Sequence, residues 1–353
     1  MAIATTTIGS YPKPDYVRVP NWFEIRRRLA PGRWNPTEAY ERFLATRDAA
    51  DDALLDRGTA EVVREQVAAG IDIPTDGEVR REHYIYHQCR RFAGFDFAGL
   101  TQKAMRGGSW NAAVPTVVGP VRAGPPQMVR DWRVAQAATD RPVKMTLPGP
   151  LTIIDSTADA HYGDQRRLAA DLADALNVEI RALADAGCRW IQVDEPVFAR
   201  QLDRALAFGV DMLARCFDGV PTGTRRAVHI CCGYPAALDL EDFPKADRAT
   251  YFALADALER TAVDAVSIED AHRRNELSLI ERFATKTLIL GVVEIARTRI
   301  ESVEEIRARL AAVLEHIDAE RLIAAPDCGL IMLDRATVGA KLRNLATAAH
   351  GIG

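Results

Sequence analysis

Residues 190–196 read Trp190-Ile191-Gln192-Val193-Asp194-Glu195-Pro196. A short apolar run that stops on two carboxylates and a proline reads as a buried strand ending at the edge of a sheet. Helical periodicity precedes it at Asp164–Ala186 and follows it at Leu202–Phe217. The same unit recurs along the chain. Apolar runs stand at Ile3–Ile8, Ile71–Asp76, Val143–Leu147, Arg226–Cys231, Ala265–Ile268, Thr287–Val292 and Leu322–Ala325, with further helical stretches at Tyr251–Thr261, Ser302–Ile317 and Arg335–Ala349. Ser302, followed by Glu304 and Glu305, marks a helix start, because acidic side chains in a first turn complement the helix dipole.

Strands alternating with helices predict a parallel α/β sheet. Eight such runs favour closure into a (β/α)8 TIM barrel. A doubly wound sheet would place a glycine-rich turn after its first strand, and Ile8-Gly9-Ser10-Tyr11-Pro12 supplies no G-x-G-x-x-G. The expected architecture is one barrel domain over residues 1–353. Residues 92–126, rich in Gly and Pro and holding a strand-like Val114–Gly119, break the rhythm. They are expected to form a hairpin or lid inserted between the second and third units, with a helix at Val129–Ala138 returning to the barrel. The first connection, Pro12 to Trp34, is also long and proline-rich.

Of the 353 residues 48% are hydrophobic and 27% charged, which suits a substantial core and excludes a disordered or collagen-like chain. Lys and Arg number 45 against 49 Asp and Glu, for a net charge of -4, so no basic footprint for nucleic acid or an anionic membrane is expected. No run approaches a membrane span, and the start Met1-Ala-Ile-Ala lacks a secretory signal, so a cytoplasmic protein is expected. Six scattered cysteines are too few for a disulfide framework.

Catalytic groups of a barrel gather where its strands end. Those tips read Asp76-Gly77-Glu78, Asp194-Glu195, His229-Ile230-Cys231-Cys232, Glu269-Asp270 and Asp327-Cys328-Gly329. Residues i and i+2 of a strand share a face, so the imidazole of His229 and the thiol of Cys231 can reach one point. That pair suits zinc, and Glu269 and Cys328 stand at later strand tips where they could complete a tetrahedron. The plain alternative is a satisfied buried histidine beside an inert thiol. Cys232 alternates to the opposite face, and Cys89, Cys188 and Cys216 fit structural positions. A zinc carrying two thiolates activates water poorly and suits the binding of a substrate thiol, which points to alkyl transfer to sulfur. Glu78 and Asp194 would line the same mouth and could hold the ammonium of an amino acid, or else cap helices.

Thr5-Thr6-Thr7-Ile8-Gly9-Ser10, Asp76-Gly77-Glu78, Gly149-Pro150-Leu151-Thr152, Ile191-Gln192-Val193-Asp194-Glu195-Pro196, His229-x-Cys231, Ser267-Ile268-Glu269 and Pro326-Asp327-Cys328-Gly329-Leu330 follow one another in an order that resembles the catalytic, C-terminal half of the cobalamin-independent methionine synthase family. The resemblance implies a (β/α)8 barrel and zinc ligands at His229, Cys231, Glu269 and Cys328. It also implies homocysteine contacts at Ile8, Ser10, Glu78 and Asp194, and methyl transfer from a folate to homocysteine. Full-length members carry a second, N-terminal half; one unit is read here. Two positions depart from the pattern. Ser156 stands where the family has a pterin-stacking tryptophan, and Ala296 where it has a histidine that protonates the departing folate nitrogen. Without that acid an amine leaves poorly, so a methylated corrinoid, delivered by a corrinoid protein, is an alternative donor. His272 could act as the acid or lie idle at a helix start; Tyr84, His87 and Trp110 are read as packing of the insertion. Two other readings stand beside this one: alkyl transfer from an epoxide to the thiol coenzyme M, and a non-catalytic barrel that binds zinc or docks a corrinoid protein.

Overall fold

A computed structural model describes residues 2–22, 35–105, 110–234, 237–241 and 245–352. Its strands are β1 (Ala4–Thr5), β2 (Phe92–Met105), β3 (Trp110–Ala123), β4 (Lys144–Pro148), β5 (Ala158–Asp159), β6 (Trp190–Asp194), β7 (Arg225–Ile230), β8 (Ala265–Glu269), β9 (Thr287–Val293) and β10 (Leu322–Pro326). Seven form one sheet in the order β1-β10-β9-β8-β7-β6-β4, with every neighbouring pair parallel. Residues 73–75 join its two edges, Thr6 bridging to Ile73 and Thr75 to Lys144. These seven strands and this one segment make the eight staves of a closed barrel. The run expected at 71–76 is therefore a stave, but one held by single bridges. A glutamine completes it: Gln66 accepts from Thr75 N at 3.0 Å and donates to Thr75 O at 2.9 Å.

Packing divides into two layers. Inside the barrel Ile8, Ile73, Ala227, Ala265, Ile289, Ile323 and Ala325 form their own cluster. The larger core lies between strands and helices, where the helix Gln165–Asp185 buries Leu168, Leu172, Leu176, Ile180 and Leu183 at helical spacing. The expected start at Ser302 is a capping box, Ser302 and Glu305 each satisfying the other's backbone N–H. The stretch expected as a helix over 202–217 is helical without a break to Cys216 but widens in its middle. It runs as Leu202–Arg204, a π-turn at Ala205–Gly209 and Val210–Cys216. Gly209 sits so close to the Phe198 ring that an added Cβ would lie 2.9 Å from it, and the widened turn accommodates this contact.

The insertion is an antiparallel hairpin, β2 with β3. It sits beside the third unit: Lys103 Nζ donates to Ile154 O and Thr157 O at 2.9 and 2.7 Å, behind β4. Residues 23–34, part of the long first connection, fall outside the described residues. Among the described residues no helix is long and apolar enough to cross a membrane.

Candidate metal centre

Register sets the strand tips at one level. Asp194 pairs with His229 across β6 and β7, and His229 with Ser267 across β7 and β8. Cys231 follows β7 directly and Cys328 follows β10 by two residues. As a result one ligand atom each from His229, Cys231 and Cys328 falls within 4.8 Å of the others. His229 is 2% exposed. Its Nδ1 lies 2.9 Å from Ser267 Oγ, whereas its buried Nε2 has no hydrogen-bond partner. An orphaned buried nitrogen costs free energy unless something outside the protein occupies it. Donation from Nδ1–H to Ser267 would leave the Nε2 lone pair aimed at the two sulfurs, which is how a metal-ligating histidine is usually fixed. Sharing of a proton between the sulfurs pulls the Cys231 thiol well down and pushes the Cys328 thiol well up. The donor set of one nitrogen and two sulfurs fits zinc.

Glu269, the fourth residue expected in this group, is differently engaged. Its Oε1 accepts from Lys245 Nζ at 2.7 Å, and it is absent from the cluster of three. Burial pushes its carboxyl up to about 7, with Asp327 adding to the rise and Lys245 opposing it. A carboxylate this deeply buried needs a counter-charge, and Lys245 supplies one. No feature of the sequence pointed to that lysine, which lies 24 residues upstream.

Glu78 and Asp194 both reach the mouth. Burial raises Glu78 to about 7, with Arg81 opposing and Asp194 and Asp76 adding. Burial likewise raises Asp194 to about 6 against His229, Gln192, Lys144 and Arg81. Arg81 Nη1 lies 3.9 Å from Glu78 Oε1, yet burial outweighs the nearby cations at both carboxyls. Backbone geometry holds Glu78 in place: it has φ +55, in the left-handed region, after Gly77 at φ +65. Gly9 makes room for it, since a Cβ there would lie 2.7 Å from Glu78 Oε1. Ser10 O accepts from Leu330 N at 2.7 Å. The Ser10 hydroxyl rests against Gly329, where a Cβ would come within 2.1 Å of Oγ. Ile8 O accepts from Gln192 Nε2 at 2.8 Å.

The other expected residues divide. His272 is tied by both nitrogens: Nδ1 lies 2.6 Å from Asp327 Oδ2 and Nε2 accepts from Ala296 N at 3.0 Å. Neither nitrogen is left to protonate a leaving group, so its role is to brace the loop after β8. Asp327 completes that brace by accepting from the backbone N–H groups of 270, 271 and 272. Glu195 caps the helix Pro150–Ser156 through Leu151 N, Thr152 N and Thr152 Oγ1. Cys89, Cys188, Cys216 and Cys232 are buried, with thiols pushed up by burial in the first instance. His87 packs toward Asp131, 4.0 Å away; the side chain of Trp110 lies outside the described residues. Tyr84 differs from the packing role expected of it. Burial raises its phenol well above the ordinary value, and the charges of Asp194, Cys231, Cys328 and Glu78 each add to the rise. It stacks on His83 at 5.5 Å, and His83 on Tyr86 at 4.4 Å.

The mouth of the barrel gathers a histidine and two cysteines that could hold a metal ion, with two buried carboxyls beside them, which is the frame of an α/β-barrel metalloenzyme site. Residues 3–351 match the family model described as the catalytic domain of cobalamin-independent synthase, and the chain belongs to that family of methyltransferases. It is 31% identical over 346 residues to a methionine synthase of Thermococcus kodakarensis, covering 97% of this chain and 91% of that one. A methionine synthase of Sulfolobus acidocaldarius is 30% identical, with 97% and 90% covered. The B12-independent methionine synthase of Shewanella sp. W3-18-1, solved in complex with selenomethionine, superimposes with a TM-score of 0.84 at 28% identity, over 99% of this chain and 97% of that one.

Proposed function

We propose that this protein methylates the thiol of homocysteine to give methionine, at a zinc ion held by His229, Cys231 and Cys328; Glu269 would serve as a fourth ligand only by giving up its bond to Lys245. The observation that carries the reading is the buried, unpartnered His229 Nε2 gathered with two sulfurs at a mouth where two carboxyls await a cation. Bound there, zinc would lower the pKa of the substrate thiol so that it is a nucleophile at neutral pH.

The chain's own groups do the rest. Ser267 fixes the His229 tautomer. Glu78 and Asp194 take the substrate ammonium by charge-assisted hydrogen bonds, which orients the sulfur toward the cysteines. Their demand for positive charge favours homocysteine over an amine-free thiol such as coenzyme M. Tyr84 and the His83 and Tyr86 rings behind it form a flat wall that keeps water from the sulfur and offers the donor a surface to lie on. A sulfur lone pair then forms the S–CH3 bond while the bond from methyl to its donor breaks, the electron pair leaving with the donor.

Support for a thiol acceptor bearing an amine comes also from the family and from the selenomethionine bound by the Shewanella enzyme. The deciding test offers zinc-loaded protein homocysteine with methyl-folate and, separately, with methylcobalamin, and measures methionine. Formation with methyl-folate alone would give Tyr84 and its neighbours the work of the stacking tryptophan. Methionine from neither donor, or full activity in a zinc-free preparation, would overturn the proposal.

A further inference from the structure

Beneath the mouth, inside the barrel, lies a polar relay that the chemistry above leaves unused. Lys144, the first residue of β4, is 0% exposed. Its Nζ donates to Gln192 Oε1 at 2.6 Å, and among the described residues it makes no salt bridge. Gln192 Nε2 in turn donates to Asp194 Oδ1 at 2.7 Å and to Ile8 O at 2.8 Å.

The chemistry of these groups permits one arrangement. Burial lowers the Lys144 amine to about 7, with Asp194 opposing the fall; in its ammonium form it offers donors only, and Ile8 O on the far side of the amide accepts only. Gln192 must therefore present its oxygen to Lys144, which turns its NH2 group toward Asp194 and Ile8. A flipped amide would set NH2 against ammonium and its oxygen against both a carboxylate and a carbonyl, replacing three hydrogen bonds by three repulsive contacts. An ammonium in so apolar an interior is costly, and among the described residues its one hydrogen bond is to Gln192 Oε1. The ammonium earns no packing role and is too enclosed to meet a substrate.

We infer that Lys144 is a positioning residue for the amino-acid thiol: through Gln192 it locks the amide that aims the Asp194 carboxylate at the substrate ammonium. This inference rests on the amine-binding role given to Asp194 above.

The test is calorimetric titration of the zinc-loaded full chain with two thiols, L-homocysteine and 4-mercaptobutanoate, which lacks only the amine. Lys144→Met is expected to weaken homocysteine by about tenfold to a hundredfold and to leave 4-mercaptobutanoate within about twofold, with the melting temperature unchanged or raised. Gln192→Leu should do the same, and the double variant should be no worse than either single one, because the two act in series. Should Lys144→Met fail to fold, Gln192→Glu reads the same relay, since it keeps an acceptor for Lys144 and removes the donor to Asp194. Homocysteine binding unaffected by these changes, or equal losses for both thiols, would overturn the inference. Wild-type protein that does not favour homocysteine over the amine-free thiol would overturn the amine-binding reading itself, and the inference with it.

Discussion

Glu78→Gln should make the metal-free, ligand-free protein more stable at pH 8 while weakening its hold on homocysteine. Burial raises the Glu78 carboxyl from 4.5 to about 7, with Arg81 and Lys13 opposing the rise and Asp194 and Asp76 adding to it. A carboxyl raised in the native state binds its proton more tightly folded than unfolded. Its ionisation therefore costs nothing below about pH 4.5, costs progressively more through the interval, and reaches its full penalty above about pH 7. The rise is worth on the order of 3 kcal/mol, an upper figure because the empty mouth can admit water. Glutamine keeps the shape and removes the charge. For a chain of this length, an unfolding entropy of roughly 0.7 kcal/mol/K converts that penalty to about 4 °C in Tm. Melting of wild type and variant in chelator should agree near pH 4.5 and diverge by up to this amount at pH 8, with the variant higher. A constant offset across pH, or a variant less stable at pH 8, would refute the reasoning.

His229→Ala and Cys328→Ser should each reduce bound zinc from one equivalent to near none by elemental analysis, without unfolding the barrel, since both side chains stand at strand tips. Ser267→Ala removes the partner of His229 Nδ1 and should weaken zinc about 10- to 100-fold in a competition with a chromophoric chelator. Gly9→Ala places a methyl 2.7 Å from Glu78 Oε1; it should raise the KM for homocysteine, with zinc content as the unchanged control.

The barrel and its chemical tips were legible because a parallel strand buried on both faces reads as an apolar run, and the polar residue that ends it stands out. His229, Cys231 and Cys328 could be read in this way. What escaped reading was set by partners distant in the chain. Lys245 approaches Glu269 from a loop, and Lys144 sits within a run that reads as plain strand, its neighbour Gln192 equally hidden. The helix Ala49–Ala68 also went unread, although Asp48 and Asp51 form its capping box, because its apolar stripe is weak. The left-handed turn at Glu78 likewise has no local signature, because it depends on Gly77 and on the space left at Gly9.

Residues 73–75 give the cylinder a seam. Neighbouring staves such as β4 and β6 are stitched by five paired residues, but this one makes a single bridge on either side and relies on side chains for the rest, the Gln66 amide and the hydroxyls of Thr6 and Thr75, which donate to Ile73 O and Gly9 O. Amide exchange in the native protein should accordingly be fastest along this join. Because Glu78 follows it by three residues, opening of the seam is expected to carry the Glu78 carboxyl with it, and faster exchange at 73–75 should accompany any loss of order at Glu78.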